Sequence, residues 1–281
     1  MKRVMPSGQE VYYGGGDVAD ESNSGRQGAR PNRQMEENLK GFNVAFAISQ
    51  VLGVTCVVLV ATWTSSYRNG FGWRSNPDLE FNWHPLLMTV GLIYLYANSI
   101  MIYRALRTMR KQKLKIFHAI IHSVVILCVL FAQIAVFDSH NFHVNPQTQK
   151  LDPIPNLYSL HSWIGLVAII TFILQWIGGL LVFLWPGASM TIRSAVMPWH
   201  VFIGLCAFVL ALAAAVSGLN EKAIFSLNNY AALPGEGVLI NLIGLMFVFF
   251  GITVVYIVTE SNYKRHPRPE DGALLKTSPS D

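Results

Sequence analysis

Charged residues are scarce in this sequence, and their scarcity sets its class. Lys, Arg, Asp and Glu together make up 13% of the 281 residues, whereas about 25% is usual in soluble domains. Hydrophobic residues make up 52%. This balance excludes an ordinary soluble domain and indicates a membrane protein.

Cysteine is also scarce, and no Cys-x-x-Cys-His motif occurs. The three cysteines, Cys56, Cys128 and Cys206, all lie inside apolar runs, so a disulfide framework is not expected. The missing motif excludes covalent attachment of a haem through thioether bonds.

Six apolar runs contain no charged residue at all. In lipid, only helices or closed barrels satisfy the backbone, and an uninterrupted apolar run longer than about 18 residues indicates a spanning helix. We therefore expect an all-α membrane protein with six helices in a transmembrane domain, residues 42–260. Residues 1–41 are polar and Gly-rich, which predicts a disordered tail, and residues 261–281 form a second polar tail. The runs are 42–64, 83–103, 116–137, 158–185, 195–218 and 237–259.

Lys and Arg are unevenly distributed between the two sets of loops. Seventeen lie in the tails and in the loops after the second and fourth helices, against four in the other loops. Because cytosolic loops carry the excess of Lys and Arg, we expect both tails in the cytosol. The C-terminal tail also contains Glu270 four positions before Leu274-Leu275, which resembles an endolysosomal dileucine sorting signal.

A histidine lies near the start of four consecutive apolar runs: His84, His118, His161 and His200. An ionisable residue inside a membrane is a functional hypothesis by default. The predicted orientation puts His84 and His161 near the non-cytosolic side and the other two near the cytosolic side, with roughly 15–20 Å between the levels. Two facing neutral imidazoles suit the axial positions of a haem iron. The sequence therefore predicts two b-type haems between helices 2–5, each with two histidine ligands.

The residues alone leave two questions open. His122 lies four residues after His118, on the same helix face and one turn deeper, so either could be the ligand. The alternative function is a histidine-based metal or proton transporter, which predicts acidic groups inside the membrane or broken helices. The runs contain no carboxylate, and we expect Pro85 and Pro198 at helix starts, where proline is tolerated. A receptor-like protein without chemistry would leave the four histidines unexplained.

Five short blocks of the sequence resemble the cytochrome b561 family of transmembrane ascorbate-dependent reductases. The resemblance covers about residues 45–260 and implies a six-helix bundle, commonly a homodimer, with two non-covalent haems b. It implies the pairs His84 with His161 and His118 with His200, and it selects His118 over His122. The blocks are 81–85 (FNWHP), 115–119 (KIFHA), 157–165 (LYSLHSWIG), 197–200 (MPWH) and 218–222 (GLNEK).

The resemblance also implies that ascorbate, an anion at neutral pH, is the cytosolic electron donor. Lys111, Lys115 and Arg193 match the family's ascorbate contacts. Lys111 and Lys115 are spaced i, i+4 on one helix face, and Arg193 lies seven residues before His200. Three cations there would attract and orient an enolate. The remaining basic residues near this site are interpreted only as positive-inside anchors: Arg104, Arg107 and Arg110.

On the other face the resemblance implies a second substrate pocket, for which the candidate residues are His140, Asn156, Tyr158 and Ser159. The loop 143–155 is longer than in several relatives, so the acceptor stays open among monodehydroascorbate, a ferric chelate and cupric ion. The hypothesis is an ascorbate-dependent transmembrane oxidoreductase. The dileucine-like signal favours an endosomal or lysosomal membrane, while related proteins also occupy secretory vesicles and the plasma membrane.

Overall fold

In the computed structural model, the backbone is described over residues 30–265 and the side chains over residues 41–265. This part of the chain is helical apart from its loops and one isolated β-bridge between Val144 and Leu151. Six of its helices are long and apolar enough to span a membrane, which confirms the predicted fold class. Their candidate membrane spans are α1 (Gly41–Tyr67), α2 (Pro77–Ala105), α3 (Lys111–Asn141), α4 (Leu160–Leu184), α5 (Met190–Ser226) and α6 (Gly235–Thr259).

The first helix begins well before the first apolar run. Its helical backbone starts at Arg30, so the helix includes residues 30–41 of the segment 1–41. The disordered tail expected over that segment stays a prediction. Pro31 lies in the first turn, where proline is tolerated, and the Gln, Met, Glu and Lys residues that follow are good helix formers. Residues 1–29 and 266–281, the latter with the dileucine-like segment, lie outside the described residues.

Pro198 lies inside α5, not at its start as expected. The helix begins at Met190, and the Ser189 hydroxyl caps it by accepting a hydrogen bond from the Ile192 N–H at 3.5 Å. This cap starts the helix two turns before the proline. Proline removes one backbone hydrogen bond from the helix interior, a loss that membrane helices accommodate through neighbouring groups.

The helix α2 occupies the centre of the bundle. Half of its most apolar stretch is buried, a larger share than in any of the other five helices. Tyr96 on α2 packs its ring against Phe172 of α4 and Phe208 of α5. Its hydroxyl donates to the carbonyl of Gly204 on α5 at 2.7 Å. Three helices therefore meet around one buried tyrosine, which is 2% exposed.

The helix α1 is attached to α2 by polar side chains. The Gln50 amide donates to Asn98 Oδ1 at 3.0 Å and accepts from the Tyr94 hydroxyl at 3.1 Å. Gly53 lets the two helices approach, because a Cβ there would lie 2.6 Å from the Tyr94 ring. Small residues and interhelical hydrogen bonds are the usual means of helix association in lipid.

Arg104 connects the end of α2 to the end of α6. Its guanidinium donates to the carbonyls of Val258 and Glu260, at the C-terminal turn of α6. The last carbonyls of a helix lack partners within the helix, and a cation is favourable there. Arg107 lies over the Phe42 ring at 4.8 Å. Both arginines therefore have packing roles in addition to their charge.

We predict that Arg104→Ala lowers the free energy of unfolding by about 1–2 kcal/mol, because charge-assisted hydrogen bonds to two helix-end carbonyls are lost. Thermal unfolding of the purified protein in detergent measures this. Arg110→Ala is the matched control, since Arg110 is an exposed arginine in the loop that follows α2. Equal losses in the two variants would contradict a specific role for Arg104.

Candidate functional site

The bundle has two ends that differ in their loops. We call the end with loops 106–110 and 185–189 the basic end. The opposite end carries loops 68–76, 142–159 and 227–234. Each end contains one pair of the four histidines singled out above.

At the opposite end, His84 on α2 faces His161 on α4, with 6.1 Å between the ring centroids. The Nδ1 of His161 lies 2.7 Å from the Ala214 carbonyl on α5, and the Nδ1 of His84 lies 3.3 Å from the Ala132 carbonyl on α3. A carbonyl only accepts, so each Nδ1 carries the proton. The Nε2 of each ring is thereby left as the atom with a free lone pair.

At the basic end, His118 on α3 faces His200 on α5, with 6.4 Å between the ring centroids. The His118 Nδ1 donates to the Ser99 carbonyl on α2 at 2.9 Å. His200 is positioned by packing: the Phe183 ring lies 5.2 Å away, and a Cβ on Gly179 would lie 3.1 Å from its Cε1. The pairs that share an end are therefore the pairs expected from the sequence.

The two histidine levels are separated by the same number of residues on α3 and on α5. His118 and Ala132, which marks the level of His84, are separated by fourteen residues on α3. His200 and Ala214, which marks the level of His161, are also separated by fourteen residues, on α5. At 1.5 Å per residue, fourteen residues correspond to about 21 Å along a helix.

Each pair fits a haem iron between its two rings. A metal–imidazole bond is about 2.0 Å long, so two imidazoles on opposite sides of one ion have centroids roughly 6 Å apart. Both measured separations agree with this. Each level offers two imidazoles, and the described residues contain no group of three or more His, Cys, Asp or Glu side chains that could hold a metal ion.

His122 lies beside the basic-end pair but does not face His200 across it. Its ring centroid is 4.4 Å from that of His118, and its other ring neighbours are Tyr96 and Phe172 in the core. The ring is 6% exposed, and its Nδ1 has no hydrogen-bond partner among the described residues. The geometry thus agrees with the choice of His118 as the member of the pair.

Two of the three expected ascorbate-binding cations meet at the basic end. The Lys115 ammonium donates to the Phe183 carbonyl at 3.1 Å, next to the ring that packs on His200. The Arg193 guanidinium lies against Gly187, where a Cβ would clash with it. Lys111 is exposed one turn before Lys115, and the charges of Arg193 and Lys111 both act on Lys115. A small anion at this rim would meet two or three positive charges.

The opposite end has a cavity of about 290 Å³ above the His84–His161 pair. His140 lines it, and its Nδ1 donates to Asn156 Oδ1 at 3.0 Å. Ile154 from the long loop closes part of it, because the Ile154 N–H donates to the His140 carbonyl at 3.0 Å. The remaining lining residues include basic, acidic and aromatic side chains, among them Arg68, Asp78, Phe81 and Lys222.

Comparison with known proteins assigns the family. The sequence profile of eukaryotic cytochrome b561 matches residues 83–226, which contain all four paired histidines. The chain belongs to the cytochrome b561 family. It is 41% identical over 229 residues to the transmembrane ascorbate-dependent reductase CYB561 of Sus scrofa, covering 81% of this chain and 86% of the relative.

Two further relatives match at least as much of the chain. The lysosomal membrane ascorbate-dependent ferrireductase CYB561A3 of Mus musculus is 39% identical over 234 residues, which are 81% of this chain and 91% of the relative. A putative transmembrane ascorbate-dependent reductase CYB561 homolog of Caenorhabditis elegans is 35% identical over 245 residues, with 85% and 91% covered. The similarity therefore extends beyond the matched profile.

The cytochrome b561 resemblance implied four residues for the second substrate pocket, and the structure gives them different roles at the cavity of the opposite end. His140 lines the cavity, and Asn156 supports it by accepting its hydrogen bond. Tyr158 is 56% exposed, and Ser159 caps α4 by exchanging hydrogen bonds with Ser162. In the part of the chain that is described, neither Tyr158 nor Ser159 lines the cavity.

The sequence reasoning missed two basic residues of this cavity, Arg68 and Lys222. Both were counted only as loop charges on the non-cytosolic side. Lys222 belongs to the GLNEK block of the cytochrome b561 resemblance, and this block was the one available signal. The reasoning also missed Glu80, a fully buried carboxyl group at the start of α2.

We predict that Gly218→Ala reduces haem occupancy at the opposite end, because its Cβ would lie 2.6 Å from Cε1 of His161. The ring would have to leave its position against Ala214, one turn earlier on α5. If each pair holds one haem, as the sequence predicts, the haem-to-protein ratio measured from the visible spectrum should fall from two towards one. Gly178→Ala is the control, since a Cβ there meets nothing within 4 Å. Full occupancy in Gly218→Ala would show that this glycine is not needed for the His161 position.

Proposed function

We propose that this member of the cytochrome b561 family transfers electrons from ascorbate at the basic end to an acceptor at the opposite end. The acceptor is monodehydroascorbate or a ferric chelate. The observation that carries this proposal is the arrangement of two facing histidine pairs at two levels about 21 Å apart. The printed names of the relatives, ascorbate-dependent reductase and ferrireductase, support the same chemistry.

The histidines are the ligands in this proposal: His84 with His161, and His118 with His200. Two haems b, held without covalent bonds, would supply the reversible one-electron chemistry. The main-chain carbonyls keep Nδ1 protonated on three rings and so leave the Nε2 lone pair of each free to bind an iron. A haem held by two histidines would suit electron transfer better than oxygen binding.

Lys115 and Arg193 would bind the ascorbate enolate at the basic end, with Lys111 as an outer cation. All three charges lie at the end with the Lys and Arg excess, which supports a cytosolic location of that end. The two tails are then cytosolic as well. The lysosomal name of one relative, together with the dileucine-like segment, supports an endosomal or lysosomal membrane. The homodimer that the family resemblance implies stays a prediction.

A histidine-based transporter is less well supported. That alternative predicts acidic groups inside the membrane, and Glu80 is a buried carboxyl group whose oxygens have no partner among the described residues. However, Glu80 lies at the opposite end, near the ion pair of Asp138 and Arg74, and not along the bundle between the two levels. The relatives are named as reductases.

We predict that His84→Ala removes one haem and leaves the other reducible by ascorbate, because His84 belongs to one pair only. The measurement is the dithionite-reduced minus oxidised visible spectrum, quantified as haem per chain. His143→Ala, a histidine of the same end outside the pairs, should keep two haems. A wild-type ratio well below two, or two intact haems in His84→Ala, would overturn the assignment.

We predict that Lys115→Met raises the KM for ascorbate about tenfold, as expected for the loss of one charge-assisted contact to an anion. The rate of haem reduction by ascorbate, followed by absorbance, measures this. Lys113→Met is the matched control, because Lys113 is exposed two residues away on the same helix. Reduction by dithionite should be unchanged in both variants. A KM effect of equal size in the two variants would indicate general surface charge and not a site at Lys115.

A further inference from the structure

We call the cavity at the opposite end the outer cavity. Among its basic residues, Lys222 is the one whose charge is not neutralised by an ion pair with a described residue. Arg68 lies 2.7 Å from Glu236, which also accepts a hydrogen bond from the Trp63 indole at 2.8 Å. His140 is committed to Asn156 through its Nδ1. Among the residues that the structure describes, the Lys222 ammonium has neither an ion pair nor a hydrogen bond.

The Lys222 ammonium is held in place by an aromatic ring. It lies over the Phe81 ring, 4.1 Å from the centroid, a geometry in which the ring quadrupole attracts the cation. This contact fixes the position of the charge without cancelling it. The amine therefore keeps hydrogen-bond donors for a ligand in the cavity.

Phe81 also connects this charge to the histidine pair. Its ring centroid lies 6.3 Å from that of His84. An anion bound by Lys222 would therefore lie one aromatic ring away from a ligand of the outer haem. Since Lys222 and Phe81 both line the cavity, the anion would occupy the space that a solvent-borne acceptor can enter.

The size and the charges of the cavity limit what can bind there. Its volume of about 290 Å³ is at the lower limit for ligand pockets, which begin near 300 Å³. Among the lining residues the carboxylate is that of Asp78, and it is at the rim: the side chain is 77% exposed and lies 3.3 Å from His143 Nδ1. The inner part of the cavity therefore favours a small anion.

Resting on the proposed function, we infer that Lys222 is the specificity-determining residue of the acceptor cavity and selects anionic acceptors. Its ammonium binds the enolate oxygens of monodehydroascorbate or the carboxylate oxygens of a ferric chelate. The acceptor takes up one electron, which ascorbate supplies at the other end. Fe(III) thereby becomes Fe(II), or monodehydroascorbate becomes ascorbate by also taking one proton from the solvent on its own side. Hydrated cupric or ferric cations are poor acceptors, because the same charge repels them.

The test compares an anionic and a cationic acceptor on the same protein. Full-length protein in proteoliposomes is supplied with ascorbate, and the reduction of ferricyanide, ferric citrate or monodehydroascorbate is compared with that of hexaammineruthenium(III). Lys222→Met should lower kcat/KM for the anionic acceptors about tenfold, mainly through KM, and should not lower it for the ruthenium cation. A loss for one anion alone identifies that anion as the one bound at Lys222.

Two further variants separate charge from structure. Lys222→Arg should retain most of the activity towards anions, because it keeps the positive charge. Lys150→Met removes an exposed cation of the same end and should change nothing. Should Lys222→Met fail to fold, wild-type protein gives the answer: added salt should raise KM for the anions and not for the cation.

Three results would overturn the inference: equal losses for anionic and cationic acceptors, no loss for any anion, or an equal effect of Lys150→Met. Reduction of the bound haems by ascorbate, measured before the acceptor is added, separates this outcome from the proposed function. If ascorbate does not reduce wild-type protein, the proposed function fails. If it does and the acceptor preference is unchanged in Lys222→Met, only the role of Lys222 fails.

Discussion

Three imidazole N–H groups donate to main-chain carbonyls of a neighbouring helix, and most of the site depends on these bonds. The acceptors are Ser99 for His118, Ala132 for His84 and Ala214 for His161. In an apolar bundle no water replaces a missing partner, so each N–H needs an acceptor from the protein. A helical carbonyl has a second lone pair to offer. One bond therefore holds the ring, joins two helices and leaves Nε2 with its lone pair free.

The sequence was sufficient to predict the helices and which histidines share an end of the bundle, because both follow from patterns that lipid imposes. Long uncharged runs must be helices, and alternating directions place His84 with His161 and His118 with His200. The helix ends were less predictable, since a helix continues past its apolar run wherever polar side chains reach water or a cap forms. Ser189 therefore starts α5 two turns before Pro198, and α5 continues through Lys222 to Ser226.

The outer cavity was not predictable from the same patterns. Whether a loop charge is free depends on its neighbours in space, and these come from distant parts of the chain. Arg68 is paired with Glu236, 168 positions later in the sequence, whereas Lys222 lies over a ring and forms no ion pair with any described residue. Likewise, Ser159 carried the same polar signal as Asn156, but its hydroxyl is used to cap α4. No count of charges by loop distinguishes these cases.

The region between the two histidine levels constrains what can cross the bundle. It contains the packed rings of Tyr96, Phe172 and Phe208 and the buried His122, and the sequence places no carboxylate between residues 83 and 103 or between 116 and 137. A proton relay through a membrane usually needs such groups in a chain. On the proposed assignment, the proton of ascorbate therefore stays at the basic end while the electron crosses.

Net charge then crosses the membrane, and a potential of 100 mV biases each transfer by about 2.3 kcal/mol. If Lys115 and Lys222 bind the two anions as proposed, both ends attract anions, so substrate charge alone would not set the direction of transfer. The membrane potential and the supply of ascorbate would then set it.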